Sequence, residues 1–215
     1  MKTYPVFLVH LDEAPCVVVG GGKVAARKVW ALLRADADVT VISPNLSPGL
    51  QRLAAQDRVG VIDRPYRYGD LKGSFLVIAA TDDPRINERV WQEARALGLL
   101  VNVVDDPDHC NFIAPSVVRR GPLSLAISTS GRCPAFSRYL RRQLEQEFGP
   151  VYGDYVELLG GLRESAAAAL TMAERRALWQ EVFASDVLSL LASGDHEQAR
   201  RRAQVILDRH LSGMD

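Results

Sequence analysis

The sequence predicts an α/β fold: a parallel sheet with helices on both faces, then a β-hairpin, then helices alone. Three observations predict it. An apolar strand, Cys16-Val17-Val18-Val19, runs directly into Gly20-Gly21-Gly22, and helical spacing follows at once. Short apolar runs then alternate with helical patterns through the first half, as parallel sheets require. From Val151 onward only helix-spaced apolar residues remain, with Tyr155, Leu158, Leu159 and Leu162 on one stripe.

Taken in order, strands are expected at 16–19, 39–42, 59–62, 75–79 and 100–103, because each run is apolar and too short for a helix. Helices are expected at 23–34, 46–56 and 85–97. Ser43-Pro44 and Asp83-Pro84 break the chain where strand must turn into helix. Residues 112–119 and 123–128 read as two strands joined by Arg120-Gly121-Pro122, a hairpin. Pro134 opens a helix over 134–148, which Gly149-Pro150 ends. In the last third, Thr171-Met172-Ala173-Glu174 has the capping-box pattern. Trp179, Val182 and Phe183 continue the stripe, Gly194-Asp195 marks a break, and residues 199–211 form a closing helix.

Composition narrows the function classes. The 215 residues suffice for one large domain or two small ones, and 47% are apolar, enough for a core. Lys plus Arg and Asp plus Glu both number 26, a balance that argues against general nucleic-acid binding. The first ten residues lack a signal-peptide pattern, and no apolar run is long enough to span a membrane. Cys16, Cys110 and Cys133 form neither a C-x-x-C pair nor a zinc pattern, so reduced thiols and a cytoplasmic location are expected.

The residues that carry chemistry fall at the predicted strand ends. Gly20, Gly22 and Ala25 fit G-x-G-x-x-A. The first glycine permits the tight turn, the second lets backbone approach a pyrophosphate, and the small third residue packs helix on strand. Helix-start N–H groups and the helix dipole favour the anion. In this strand-to-helix context the motif predicts a nucleotide-type site beyond the carboxyl ends of the strands; the alternative reading is a plain tight turn. The second strand ends in Ser43-Pro44-Asn45, without the ribose-binding acid of many NAD enzymes and without an arginine for a 2′-phosphate. Ser43 and Asn45 are candidates for the ribose or simply turn residues, and NAD against NADP stays open from these residues alone. After the fourth strand, Thr81 and Asp82 offer hydrogen bonds at a cofactor rim, beside an aspartate that caps the next helix. After the fifth, Asp105 follows Asn102-Val103-Val104, and its carboxylate serves either as a proton acceptor or as a turn cap. His109 and Cys110 are adjacent but have no partner at ligand spacing, so no metal site is expected. Arg119, Arg120, Arg132, Arg138, Arg141 and Arg142 form the densest basic region, either a solvated face or a site for a polyanion.

Several segments together resemble the precorrin-2 dehydrogenase family, which corresponds to the N-terminal half of siroheme synthase. They are Tyr4-Pro5-Val6-Phe7, residues 19–28 from Val19 to Lys28, Ala79-Ala80-Thr81-Asp82-Asp83, Asn102-Val103-Val104-Asp105, Asn111-Phe112-Ile113-Ala114-Pro115-Ser116, Ser128-Thr129-Ser130-Gly131, and Glu174-Arg175-Arg176 with Trp179. The resemblance implies NAD-dependent oxidation of precorrin-2 to sirohydrochlorin, and in some relatives ferrous-ion insertion. It implies a catalytic role for Asp105. It implies cofactor contacts at Gly20, Gly22, Lys23, Val24, Ser43, Pro44, Asn45, Thr81, Asp82, Asn102 and Val103. Ser128, Thr129, Arg132 and Arg138 would then face the carboxylates of the tetrapyrrole. The position that is a phosphorylatable serine in some siroheme synthases is Thr129 here, and the methyltransferase half has no counterpart in this sequence.

The expected organisation is a cofactor domain over 1–113, a dimerisation segment over 114–149 and a helical domain over 150–215. The family implies a homodimer holding the tetrapyrrole between chains, with no nucleic acid or membrane as partner. The rival reading is a nucleotide-sensing Rossmann module without catalysis, which has no need of Asp105 or of the hairpin with its arginine-rich helix.

Overall fold

A computed structural model describes residues 2–212 and divides the chain into two compact units, Met1–Ala114 and Pro115–Asp215. The first unit holds a five-stranded parallel sheet in the order β3-β2-β1-β4-β5. Its strands are β1 (Pro15–Val19), β2 (Asp38–Ile42), β3 (Gly60–Ile62), β4 (Leu76–Ala79) and β5 (Leu100–Val103). Between them run α1 (Lys23–Leu33), α2 (Pro48–Ala55) and α3 (Pro84–Ala96). The order reverses at β1, which pairs with β2 on one side and β4 on the other. That reversal is the switch point at which such sheets open a crevice.

β1 shows why the run is apolar throughout. Val18 is fully buried in a cluster with Val29 and Leu33 of α1 and Leu50 and Leu53 of α2. Val17 and Val19 point the other way, into a cluster with Val90 and Ala94 of α3. Alternate residues thus fill two cores, and each fully buried valine contributes roughly 1.5–3 kcal/mol. α1 buries Ala25, Val29, Leu32 and Leu33, a single stripe at helical spacing.

The second unit begins with an antiparallel hairpin, β6 (Ser116–Arg120) and β7 (Leu123–Ile127), turned at Gly121 with φ 52°. The first hairpin strand was expected from residue 112 and starts instead at Ser116. Residues 111–112 are held to β5: the Asn111 side chain accepts from Val101 N at 2.7 Å and donates to Leu99 O at 2.7 Å. Phe112 packs under the α1 core, and Pro115 has no N–H to offer a ladder.

α4 (Pro134–Glu147), α5 (Val151–Ala169), α6 (Met172–Ala184), α7 (Val187–Ala192) and α8 (His196–Ser212) complete the unit. Leu162, Leu178, Val182, Val187, Ile206 and Leu207 form its core. Thr171 and Glu174 make the expected capping box at the start of α6. Apart from Ala114, the segments expected as 114–149 and 150–215 fall within this one unit. A Cβ on Gly153 of α5 would lie 3.0 Å from the Arg120 carbonyl of the hairpin, so the two backbones meet closely.

Candidate functional site

The carboxyl edge of the sheet is set by backbone bonds one residue past each strand. Gly20 N donates to Ile42 O at 2.9 Å, Ser43 N to Ile62 O at 3.2 Å, Ala80 N to Val19 O at 2.8 Å and Val104 N to Ala79 O at 2.9 Å. A cavity of about 680 Å³ opens along this edge. Its lining brings together the expected Gly20, Gly22, Lys23, Val24, Ser43, Pro44, Asn45, Thr81 and Asp82. Asn102 and Val103 are buried and do not line it.

The three glycines do different jobs. Gly20 has φ +120°, and a Cβ there would lie 2.4 Å from Ala80 O. Gly22 is extended, with φ −75° and ψ −174°, and a Cβ there would meet nothing within 4 Å. It is the N-cap of α1, so open space lies directly at the helix start. Gly21, absent from the motif's fixed positions, has the tightest packing: its Cβ would lie 1.8 Å from Asn45 O. Ser47 N also donates to Gly21 O at 2.7 Å, tying the β2 exit loop to the glycine turn.

These features fit a dinucleotide. The glycine turn forms a backbone cradle, and α1 carries no acid in its first turn to repel a pyrophosphate. Lys23 adds a cation at that turn. Ser47 Oγ is buried beside the cavity without a hydrogen-bond partner among the described residues. Ser43 Oγ is already used: it donates to Asn45 O at 2.9 Å and accepts from Asn45 N at 3.3 Å. Thr81 Oγ1 donates to Asn87 Oδ1 at 2.7 Å, and Asp83 caps α3 by accepting from Arg85 N at 2.9 Å.

One wall has a support that sequence spacing does not show. Tyr66 lines the cavity and donates its hydroxyl to Glu93 of α3, which is 1% exposed. Glu93 also accepts from Gly69 N at 2.9 Å and Leu71 N at 3.1 Å. Burial, then the hydrogen bond to Glu93, raises the Tyr66 pKa well above its ordinary value, so the phenol stays protonated. Only a fold that brings residue 66 beside residue 93 exposes this pairing.

At the β5 exit, Asp105 is exposed and takes a left-handed backbone, φ 61°. Aspartate tolerates this region better than most residues, and strain of this kind clusters at functional sites. His109 is held by Asp106 at 2.6 Å and Glu88 at 3.2 Å, with its ring edge-on to Trp91. The Asp106 hydrogen bond, with the Asp106 and Glu88 charges, raises the His109 pKa. Cys110 Sγ lies 3.2 Å from Val103 N, and burial raises its pKa. Among the described residues no three His, Cys, Asp or Glu side chains are placed to hold a metal ion.

The remaining expected site residues belong to the second unit. Ser128 Oγ accepts from Ser130 N at 3.0 Å, and Thr129 Oγ1 accepts from Cys133 N at 3.0 Å. Arg132 and Arg138 are exposed. The arginine set divides. Arg120 is structural: its guanidinium donates to Phe148 O at 2.7 Å and Glu145 O at 2.8 Å, closing the end of α4. Arg141 pairs with Glu145 one turn on. Arg119, Arg132, Arg138 and Arg142 keep exposed side chains.

Three family patterns match successive parts of the chain. A family pattern described as putative NAD(P)-binding matches residues 7–116. Patterns for the sirohaem biosynthesis protein central region and the sirohaem synthase dimerisation region match 120–147 and 151–207. A siroheme synthase of Methylobacillus flagellatus is 40% identical over 208 residues, covering 96% of this chain and 44% of its own length. Siroheme synthase 1 of Serratia proteamaculans is 38% identical over 216 residues, covering 100% of this chain and 45% of its own. The chain therefore spans under half the length of these relatives. Among solved structures, SirC, a precorrin-2 dehydrogenase, superposes with a TM-score of 0.77 at 24% identity. That match covers 96% of this chain and 100% of SirC, and it shows the shared fold.

Proposed function

We propose that this chain, which belongs to the siroheme synthase family through its NAD(P)-binding, central and dimerisation regions, oxidises precorrin-2 to sirohydrochlorin with NAD⁺. The observation that carries the reading is the coincidence of a dinucleotide cradle at Gly20–Gly22 with a carboxylate, Asp105, on a left-handed backbone at the same edge of the same sheet.

Bound NAD⁺ supplies a hydride acceptor at its nicotinamide ring. The chain's own residues bind and orient. Gly20 and Gly22 would hold the pyrophosphate, with Lys23 and Val24 at the same turn, while Ser43, Pro44, Asn45, Thr81 and Asp82 line the rest of the cavity that would take the cofactor. The substrate loses one hydride and one proton, and the proton passes to the Asp105 carboxylate. Conjugation gained by the macrocycle favours the oxidation, so orientation supplies much of the rate. Arg132 and Arg138, with Ser128 and Thr129, bind substrate carboxylates. The working form is a homodimer, assembled through the region matching the dimerisation pattern, in the cytoplasm, where its three cysteines stay reduced.

The test is an anaerobic absorbance assay with precorrin-2 and NAD⁺, with and without ferrous iron. Growth of the sirohydrochlorin spectrum with stoichiometric NADH is expected. Tight NAD⁺ binding without turnover would make the protein a nucleotide-sensing module instead. In the ferrous arm the ion is a substrate, and Asp105 accepts the pyrrole protons it displaces.

A further inference from the structure

Lys28 lies on α1, one turn beyond the cofactor-facing Val24, and reaches across the sheet edge to β5. Its Nζ donates to Asn102 Oδ1 at 3.3 Å. Asn102 is 8% exposed, and its amide nitrogen donates to Phe112 O at 3.2 Å and lies 3.4 Å from Cys110 Sγ. Both ends of the amide are therefore committed, the oxygen to Lys28 and the nitrogen to Phe112 O. Cys110 Sγ in turn sits 3.3 Å from Val103 O and 3.1 Å from Asp106 O, so the network wraps the backbone on either side of Asp105.

A half-buried ammonium needs compensation, since burial disfavours its charge. Among the described residues Asn102 is the one hydrogen-bond acceptor of Lys28, and no ion pair involves it. Burial and the neighbouring Arg27 charge lower its pKa, while Cys110 and Asp105 oppose them. Lys28 spans from the cofactor helix to the β5 exit, with the neutral Asn102 amide as its partner.

We propose that Lys28 is a positioning residue for the oxidation: anchored by Asn102, it joins the cofactor helix to the β5 exit and holds the backbone segment that carries Asp105. This role rests on the reaction assigned above. It explains why Asn102, outside the cavity, is a polar side chain buried at a strand end. It also explains why a cation occupies that position on α1 where a solvent-facing residue would not need burial.

The test compares wild type, Lys28→Met and Lys28→Arg. Methionine keeps the stem and removes the charge, and arginine keeps the charge. Lys28→Met is expected to fold, to bind NAD⁺ with wild-type affinity by calorimetry, and to lose at least tenfold in kcat with KM for NAD⁺ unchanged. Lys28→Arg is expected to recover most of that loss. Wild-type turnover in Lys28→Met overturns the proposal. So does a loss of kcat matched by equal losses in NAD⁺ affinity and melting temperature. A wild-type chain that fails to oxidise precorrin-2 overturns the assigned reaction, and this role with it.

Discussion

A Cβ on Gly21 would stand 1.8 Å from the carbonyl oxygen of Asn45, closer than any other glycine contact in the described chain. The β2 exit loop is therefore moulded onto bare backbone at the middle of the glycine turn. Gly21→Ala must push that loop away, and we expect it to cost about 3 kcal/mol or more, the upper end for overpacking. NAD⁺ affinity should fall at least tenfold, because Ser43, Pro44 and Asn45 line the cavity. Gly22→Asp should separate folding from binding. Aspartate is a favoured N-cap, and space around Gly22 is open, so the melting temperature should hold or rise. NAD⁺ binding should vanish, through bulk and like charge against the pyrophosphate. Calorimetry and thermal melts on both variants check the pair; unchanged affinity in a folded Gly22→Asp protein would remove the cradle as the cofactor site.

Glu93 makes a second prediction. Its buried carboxylate accepts from Tyr66 Oη, Gly69 N and Leu71 N. Glu93→Gln places an NH₂ donor where an acceptor is required. We expect a loss of about 3 kcal/mol from the opposed donors, or roughly 10–15 °C in melting temperature for a unit of this size. NAD⁺ affinity should weaken as well, because Tyr66 forms a wall of the cavity. Tyr66→Phe, which leaves two donors on Glu93, should lose less. Equal melting temperatures for Glu93→Gln and wild type would show the cluster to be dispensable.

Much of this was legible in the sequence, because strand ends and turns carry their own signals. Residues 16–22 declare a buried strand entering a glycine turn, and Asp83-Pro84 declares a capped helix. What stayed hidden depended on tertiary contact. Gly21 occupies a variable motif position, and its need for glycine appears only when Asn45 is folded against it. Arg120 reads as one of six arginines until its guanidinium is seen on the last carbonyls of α4. Glu93 lies on a helix that is polar on average, and nothing nearby in sequence marks it as buried. The hairpin's first strand was placed too early because Asn111 satisfies β5 by side-chain bonds, which leave no alternation pattern.

His109 predicts a pH dependence. Its pKa is raised chiefly by the Asp106 hydrogen bond and then by the Asp106 and Glu88 charges. The same contact lowers the Asp106 pKa. A raised histidine pKa stabilises the fold fully below the unfolded value of about 6.5 and is lost as pH rises through the folded value. A lowered aspartate pKa stabilises above about 3.9 and is lost as pH falls through the folded value. The contact therefore works best between the two. The melting-temperature gap between wild type and His109→Gln should be larger at about pH 5.5 than at about pH 8.5, with the folded histidine charged at the lower value. A gap that widens toward alkaline pH would reverse the assignment.

The last prediction concerns Asp105, whose left-handed backbone makes the choice of substitution matter. At φ 61°, alanine would pay for the strain as well as lose the carboxylate, and the two effects would merge. Asparagine adopts this region readily and keeps the shape and hydrogen-bonding capacity while removing charge and basicity. If Asp105 were only a turn residue, Asp105→Asn should be silent. If it takes the proton that leaves with the hydride, Asp105→Asn should lower kcat for precorrin-2 oxidation by about 10²–10⁴-fold, the usual range for a positioned base. Melting temperature and NAD⁺ affinity should not change, because Asp105 is exposed and lies outside the cavity lining. Ferrous-ion insertion, if the wild-type protein performs it, should fall in parallel, since it too releases pyrrole protons. Steady-state rates for both steps, with a melt and an NAD⁺ titration on the same preparation, separate the cases. Full turnover in Asp105→Asn would reduce the residue to a cap and leave the oxidation to binding and orientation alone.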